Sequence, residues 1–131
     1  DITEQRKGST MGKFTVQQLR SGYKFNLKAG NGQIIATSTV YLTMEACVEA
    51  IHSVQRCANS PIEDQTLPHG ETFEAPKYEL YHNDKGTKCF RLRDEQGNIV
   101  AYSEGYTAKR SCKTGIQSVM LNAPDAPIIT G

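Results

Sequence analysis

Residues 22–58, GYKFNLKAGNGQIIATSTVYLTMEACVEAIHSVQRCA, decide the fold, because they return 65 residues later as residues 87–123, TKCFRLRDEQGNIVAYSEGYTAKRSCKTGIQSVMLNA. At this offset the two stretches are identical at 12 of 37 positions. The identical pairs are Phe25/Phe90, Leu27/Leu92, Gly32/Gly97, Ile34/Ile99, Ala36/Ala101, Ser38/Ser103, Tyr41/Tyr106, Cys47/Cys112, Ile51/Ile116, Ser53/Ser118, Val54/Val119 and Ala58/Ala123. The chain is therefore a tandem duplication of one supersecondary unit.

The repeat continues upstream at an offset of 64 residues, where residues 13–16 (KFTV) match residues 77–80 (KYEL). The first turn is therefore one residue shorter in the first copy. A slip of one residue is tolerated in a surface turn and is costly inside a strand or a helix. We therefore place a turn directly after the first strand of each copy.

The two copies divide the chain into an N-terminal tail or cloning remnant at residues 1–12, repeat 1 at 13–64, an acidic linker at 65–76, and repeat 2 at 77–131. Residues 60–76 carry four acidic residues and no Lys or Arg, whereas residues 13–59 and 77–123 each have a net charge of +3. A unit of about 50 residues buries little apolar surface alone. We therefore expect both repeats to form one cooperative domain.

The second strand of each copy alternates between apolar and polar residues. In copy one Phe25 and Leu27 alternate with Lys24, Asn26 and Lys28, and copy two repeats the pattern with Phe90 and Leu92. A period of two with one polar face is typical of a half-exposed antiparallel strand. An Asn-Gly or Gln-Gly turn follows, which is a hairpin signal because a type I′ turn needs positive φ.

A helix is predicted at the end of each copy. The apolar residues Cys47, Ile51, Val54 and Ala58 recur at i, i+4, i+7 and i+11, and copy two has the same spacing. A single apolar stripe on a polar helix is expected to cover one face of a sheet. Thr43 and Thr107 precede the stripes and are predicted as the N-caps, and Pro61 and Pro124 follow them.

These patterns predict an α+β fold, with one antiparallel sheet built from both repeats and both helices on one face. Each copy then has three strands before its helix. The short segments Pro61-Ile62-Glu63 and Ile128-Ile129-Thr130 are candidates for a fourth.

Several spaced motifs resemble the YegP-like family of small bacterial proteins. They are residues 97–106 (GNIVAYSEGY), 116–119 (IQSV) and 122–126 (NAPDA), with a weaker version in copy one at residues 31–38 (NGQIIATS). The resemblance implies a β3-αβ unit that occurs as a dimer or a tandem repeat, with one shared sheet and exchanged last strands. It implies no established activity and no functional residues.

The copies differ just before their helices. Val40 stands in copy one where copy two has Gly105. If Gly105 adopts a positive φ, Val40 cannot follow it, and the two loops should differ.

Catalytic and metal-binding patterns are missing from the sequence. There is no G-x-S-x-G motif, and His52, His69 and His82 have no ligand spacing. Cys47 and Cys112 lie on the helical stripe, where packing is the expected role. We therefore predict a protein that is not an enzyme and has no cofactor and no metal. Its four cysteines are expected to be free thiols in a reducing cytoplasm.

The open face of the sheet is the candidate binding surface. Its predicted residues are Lys24, Lys28, Tyr81, Arg91, Arg93 and Tyr102. Basic side chains interleaved with Tyr could hold phosphates and stack bases, as sheet-based RNA binders do. Solvated strands also carry these residues routinely, and the net charge of +1 is far from that of a dedicated nucleic-acid binder.

The resulting hypothesis is a small binding or accessory module, with nucleic acid or a protein as partner on the open sheet face. The alternative is a structural or oligomerisation unit that pairs through its sheet edges. No stretch of about 18 apolar residues exists, so no membrane span is expected. A monomer is expected, because the second repeat supplies the pairing within one chain.

Overall fold

The computed structural model describes residues 12–130, and its elements follow the order of the two repeats. Repeat 1 contains β1 (Lys13–Leu19), β2 (Gly22–Lys28), β3 (Ile34–Thr37), α1 (Met44–Cys57) and β4 (Ile62–Asp64). Repeat 2 contains β5 (Lys77–His82), β6 (Lys88–Arg93), β7 (Ile99–Tyr102), α2 (Lys109–Asn122) and β8 (Ile128–Ile129), with a 3₁₀ turn at Ala123–Asp125. Both candidate fourth strands are present.

All eight strands form one sheet in the order β4-β5-β6-β7-β3-β2-β1-β8. The last strand of each repeat pairs with the first strand of the other: Ile62 faces Tyr78, and Ile128 faces Phe14. The strand exchange that the resemblance implied is therefore confirmed. The prediction of an antiparallel sheet holds for the six inner strands. The exchanged strands are parallel to their neighbours, so the sheet as a whole is mixed.

The two halves of the sheet meet between β3 and β7. Only one register pair, Thr37 with Tyr102, joins these strands. Beyond Tyr102 the chain of repeat 2 bends away, and Tyr106 pairs instead with Lys88 through two backbone hydrogen bonds of 2.7 and 2.8 Å. The strand order is symmetric about this seam, so a pseudo-two-fold axis that relates the two repeats passes through it.

Both helices cover the same face of the sheet, as predicted. The inward residues of the strands and the helical stripes are buried in one core. Each half contains an edge-to-face aromatic pair, Phe14 with Phe25 at 5.6 Å between ring centroids and Tyr78 with Phe90 at 6.1 Å. The Tyr78 hydroxyl also donates to the carbonyl of Ala58, 2.7 Å away, and this bond joins repeat 2 to the end of α1.

The two helices begin differently. Thr43 caps α1, and its Oγ1 accepts from the backbone N–H of Ala46 at 3.1 Å. The N-cap of α2 is Ala108, which has no side-chain acceptor. The prediction of Thr107 as a cap is therefore wrong, because the repeat offset of 65 places Ala108, and not Thr107, opposite Thr43.

The loop before α2 contains Gly105, which does not have a positive φ. The glycine is needed for a different reason: a Cβ at residue 105 would overlap the side chain of Thr87. All four cysteines are buried, including Cys47 and Cys112 on the helical stripes, where packing was the expected role. Between residues 12 and 130, no helix is long and apolar enough to cross a membrane.

Candidate binding surface on the open sheet face

The strand register lines up one row of side chains across all eight strands on the face opposite the helices. In sheet order the row is Glu63, Glu79, Arg91, Tyr102, Thr37, Asn26, Thr15 and Ile129. Side chains directly opposite one another on neighbouring strands share a face. Two of the predicted binding residues, Arg91 and Tyr102, are therefore neighbours at the centre of the sheet.

The other predicted residues flank this row in two groups. Arg93 and Tyr81 lie on β6 and β5, beside Arg91. Lys24 and Lys28 lie on β2, on the other side of the seam. The structure thus places the six predicted residues on one face but divides them between its two halves.

A buried carboxylate organises the repeat 2 half. Glu79 Oε1 accepts from Arg91 Nε at 2.6 Å and from Arg93 Nε at 2.8 Å, and Lys77 Nζ lies 3.4 Å from Glu79 Oε2. The Glu79 side chain is only 6% exposed. Burial acts to raise the pKa of Glu79, but the hydrogen bonds from the two arginines outweigh it and hold the pKa below its ordinary value.

A second carboxylate comes from repeat 1 through the exchanged strand β4. Glu63 Oε1 accepts from Lys77 Nζ and from the Phe73 backbone N–H, both at 2.8 Å, and Oε2 accepts from Gln65 Nε2 at 2.6 Å. Hydrogen bonds from Gln65, Lys77 and Phe73 lower the pKa of Glu63 to about 2. Lys77 therefore bridges a carboxylate of each repeat.

The arginines are held in place while their terminal nitrogens are left available. Arg91 is fixed through Nε, and its Cζ lies 4.2 Å from the centroid of the Tyr81 ring. Arg93 is fixed through Nε and through Nη1, which donates to the Gly97 carbonyl at 2.7 Å. Within the described chain, neither Nη of Arg91 and only one Nη of Arg93 makes a hydrogen bond.

The repeat 1 half has different chemistry at equivalent positions. Thr15 replaces Glu79, Asn26 replaces Arg91, and Lys28 replaces Arg93. No carboxylate among residues 12–130 lies within 4.0 Å of Lys24 or Lys28. Within the described chain, this half therefore offers lysines without an ion pair, whereas the other offers arginines held by a carboxylate.

Sequence reasoning missed Glu63, Lys77 and Glu79. A signal for Glu79 existed: it lies between the inward residues Tyr78 and Leu80, so alternation places it outward. Glu63 gave no such signal, because its position depends on the exchange of a three-residue strand. No group of three or more His, Cys, Asp or Glu in the part of the chain that is described could hold a metal.

Comparison with known proteins gives a consistent family. The model of the family "Domain of unknown function (DUF1508)" matches residues 21–64 and 84–129, one match in each repeat. UPF0339 protein YegP of Yersinia pestis is 36% identical over 113 residues, which cover 86% of this chain and 88% of that protein. A UPF0339 protein of Methanosarcina acetivorans is 49% identical over 53 residues, 40% of this chain and 91% of that protein, and is thus about one repeat long.

Two solution NMR structures share the fold. Protein of unknown function yegP from E. coli superposes with a TM-score of 0.76 at 27% identity, covering 93% of this chain and 94% of that one. UPF0339 protein SO3888 from Shewanella oneidensis gives 0.74 at 27% identity, covering 91% and 90%.

Proposed function

The chain belongs to the DUF1508 family. We propose that it is a small non-enzymatic binding protein that holds single-stranded nucleic acid on its open sheet face. The family itself has no known function, so the proposal depends on the chemistry of this surface.

The observation that carries the proposal is the pair of arginines fixed by Glu79. A guanidinium held through Nε loses little side-chain freedom when its Nη groups bind a phosphate, so less of the binding energy is lost to ordering. Arg91 and Arg93 lie on the same strand two residues apart, Arg91 stacks on the Tyr81 ring, and Tyr102 lies beside Arg91 on the neighbouring strand. Phosphate contacts and base stacking are the two interactions that sequence-tolerant binding of single strands requires.

The surface extends across the seam to β2. Three inter-strand spacings separate β6 from β2, which is about 14 Å. Sheet-based RNA binders stack roughly two or three bases over such a face. Lys24 and Lys28 at the far side can contact phosphates that the arginines do not reach.

Glu63 and Glu79 limit the strength of this binding. The cations in the repeat 2 half are Lys77, Arg91 and Arg93, and the two carboxylates neutralise two of these three charges. We therefore expect weak affinity that depends on salt, with few phosphates neutralised.

The alternative of edge-to-edge oligomerisation is less well supported. The edge strands β4 and β8 have three and two residues, and short edges are a device against pairing with other chains. The arginine cluster lies on the face of the sheet and has no role in that alternative.

The test is a titration of the ¹⁵N-labelled protein with a thymidine octamer at low salt, followed by added salt. We expect shifts on β6, β7 and β2 that fade as salt is raised. Arg91→Gln with Arg93→Gln should weaken binding about tenfold, whereas Lys85→Gln with Lys113→Gln removes the same charge elsewhere and should change it less than twofold. Both control lysines are exposed.

A third variant separates geometry from charge. Arg91→Lys with Arg93→Lys keeps both charges and loses the fixed planar guanidinium groups, so binding should still fall severalfold. Equal losses in the first variant and its control would contradict the proposal. Shifts confined to other surfaces would also contradict it and would direct attention to protein partners.

A further inference from the structure

A groove of about 330 Å³ lies between α2 and β3, on the helix side of the seam. It exists because β3 is paired to repeat 2 only at Thr37. On the side toward repeat 2, the start of β3 therefore lies beside Tyr106 in the loop before α2, whereas its other side pairs with β2. Ile34, 52% exposed, and Ile35 form its apolar wall, and the Tyr106 ring closes one end. Its volume is within the range of small-molecule sites.

The polar lining of the groove has one sign of charge. Among the described residues that line the groove, Arg110 is the only charged one, and Ser111, Thr114 and Tyr106 add hydroxyl groups. Thr114 Oγ1 donates to the Arg110 carbonyl, so it is already satisfied within the helix. The hydroxyls of Ser111 and Tyr106 have no hydrogen-bond partner among residues 12–130, and no carboxylate there lies within 4.0 Å of Arg110.

Glycine at residue 115 shapes the groove. A Cβ at this position would lie 2.5 Å from the Tyr106 hydroxyl and 3.1 Å from Phe90 Cε2. The equivalent residue of α1 is Ala50. Gly115 therefore lets the Tyr106 side chain lie against the helix.

The pseudo-symmetric position beside α1 is different. Arg56 at the end of α1 donates to Glu95 in the β6–β7 turn at 2.7 and 3.0 Å and to Ser53 at 3.2 Å, which ties helix to turn. Leu121 and Gly30 are the equivalents of Arg56 and Glu95, so the corresponding ion pair between helix and turn cannot form beside α2.

The charges at the equivalent positions of α1 also differ. Glu45 and Glu49 are the equivalents of Arg110 and Thr114. An anion that fits the α2 groove is therefore repelled from the equivalent face of α1.

We infer that the α2 groove binds a small carboxylic acid with a compact apolar body, one molecule per chain. Its carboxylate is held by Arg110 and the Ser111 hydroxyl, and its apolar body lies on Ile34 and Ile35 beside the Tyr106 ring. The charge of Arg110, the absence of acidic side chains from the described lining and the exposed apolar wall together define this ligand class. The groove borders the open face, because Ile34, Ile35 and Tyr106 also line a cavity there with Lys24 and Tyr102, but neither proposal depends on the other.

The test uses benzoate and 3-methylbutanoate as probes and the chemical shifts of Ile34, Ile35, Tyr106 and Thr114 as the readout. For probes of this size we expect saturable binding with a Kd on the order of 1 mM. Arg110→Gln should weaken benzoate binding about tenfold, whereas Lys113→Gln, a matched charge loss on the same helix, should leave it unchanged. Benzamide, which has the same shape without the charge, should bind about tenfold more weakly than benzoate.

A blocking variant checks the location. Ser111 is exposed, so Ser111→Phe is compatible with folding and should abolish binding by filling the groove. Arg91→Gln with Arg93→Gln should leave benzoate binding unchanged, which separates this site from the sheet face. The inference is overturned if neither probe gives saturable shifts up to about 50 mM. Equal binding by the Arg110 and Lys113 variants would overturn it as well.

Discussion

Gly105 lies directly against the side chain of Thr87, so closely that residue 105 has no room for a Cβ. Copy one makes the same contact the other way round: Gly22 stands where copy two has Thr87, and Val40 where it has Gly105. A Cβ at residue 22 would overlap the Tyr41 carbonyl oxygen and lie 2.9 Å from Val40 Cγ1, and Gly22 has a φ of +149°. In each copy the strand and the loop therefore approach closely at a glycine, and the two copies place that glycine on opposite partners.

This complementarity predicts a rescue experiment. Gly105→Val should lower the free energy of unfolding by about 1–3 kcal/mol through overpacking against Thr87. Adding Thr87→Gly reproduces the pair found in copy one and should recover most of the loss. Urea unfolding of the two single variants and the double variant measures the coupling. Simple additivity of the two single effects would show that the residues do not share a contact.

Glu63 predicts a dependence of stability on pH. Its folded pKa of about 2 is below the ordinary value of 4.5, so its contribution is complete above about pH 4.5 and is lost as the pH falls toward 2. Glu63→Gln should therefore lower stability at neutral pH and flatten the pH profile between about pH 5 and pH 2. Urea midpoints measured across this range provide the check.

Glu95→Gln is the matched control for that experiment. The pKa of Glu95 is also lowered to about 2, chiefly by its hydrogen bond with Arg56, but this pair is exposed at the surface. Added salt should therefore reduce the effect of Glu95→Gln much more than that of Glu63→Gln. The same salt sensitivity in both variants would contradict the description of the Glu63 network as buried.

The hydrogen bond from Tyr78 to Ala58 joins the two repeats, and we expect its loss to lower stability. Tyr78→Phe removes the donor to the buried Ala58 carbonyl and should cost about 1 kcal/mol or somewhat more. The ring itself remains packed, since Phe14 occupies the equivalent position in copy one. Tyr81→Phe, on the open face, should change the unfolding free energy by less than about 0.5 kcal/mol. Thermal or urea unfolding that ranks Tyr81→Phe above Tyr78→Phe would contradict this assignment.

The exchanged strands predict that the linker is dispensable for holding the repeats together. Leu67, Pro68 and His69 are exposed, so a protease site inserted there should be cut in the folded protein. Both fragments should then remain associated, because β4 is paired with β5, and β8 with β1. Size exclusion and native mass spectrometry after cleavage measure this. Separation into two folded halves would mean that each repeat is an independent domain.

Residue patterns predicted the parts of this structure that depend on local periodicity. Alternation places Phe90 and Leu92 in the core and Arg91 and Arg93 outside, and Cys47 to Ala58 form the buried helical stripe. The fixed geometry of the arginines was not predictable in the same way, because Glu79 reaches them from another strand.

Long-range features gave still less local signal. Strands β4 and β8 have only three and two residues, and each pairs in parallel with the first strand of the other repeat, β4 with β5 and β8 with β1. The groove beside α2 depends on the single register pair between Thr37 and Tyr102, and register across a seam between repeats leaves no mark on local sequence.

The pairing of Phe14 with Ile128 joins residues more than a hundred positions apart. During synthesis β1 emerges from the ribosome long before its outer neighbour exists, and β5 closes against β4 as soon as repeat 2 appears. The order of translation therefore leaves the β1 edge uncovered until Ile128 has been made. The tandem arrangement keeps the missing strand tethered to the same molecule, so the exposed edge is covered within one chain.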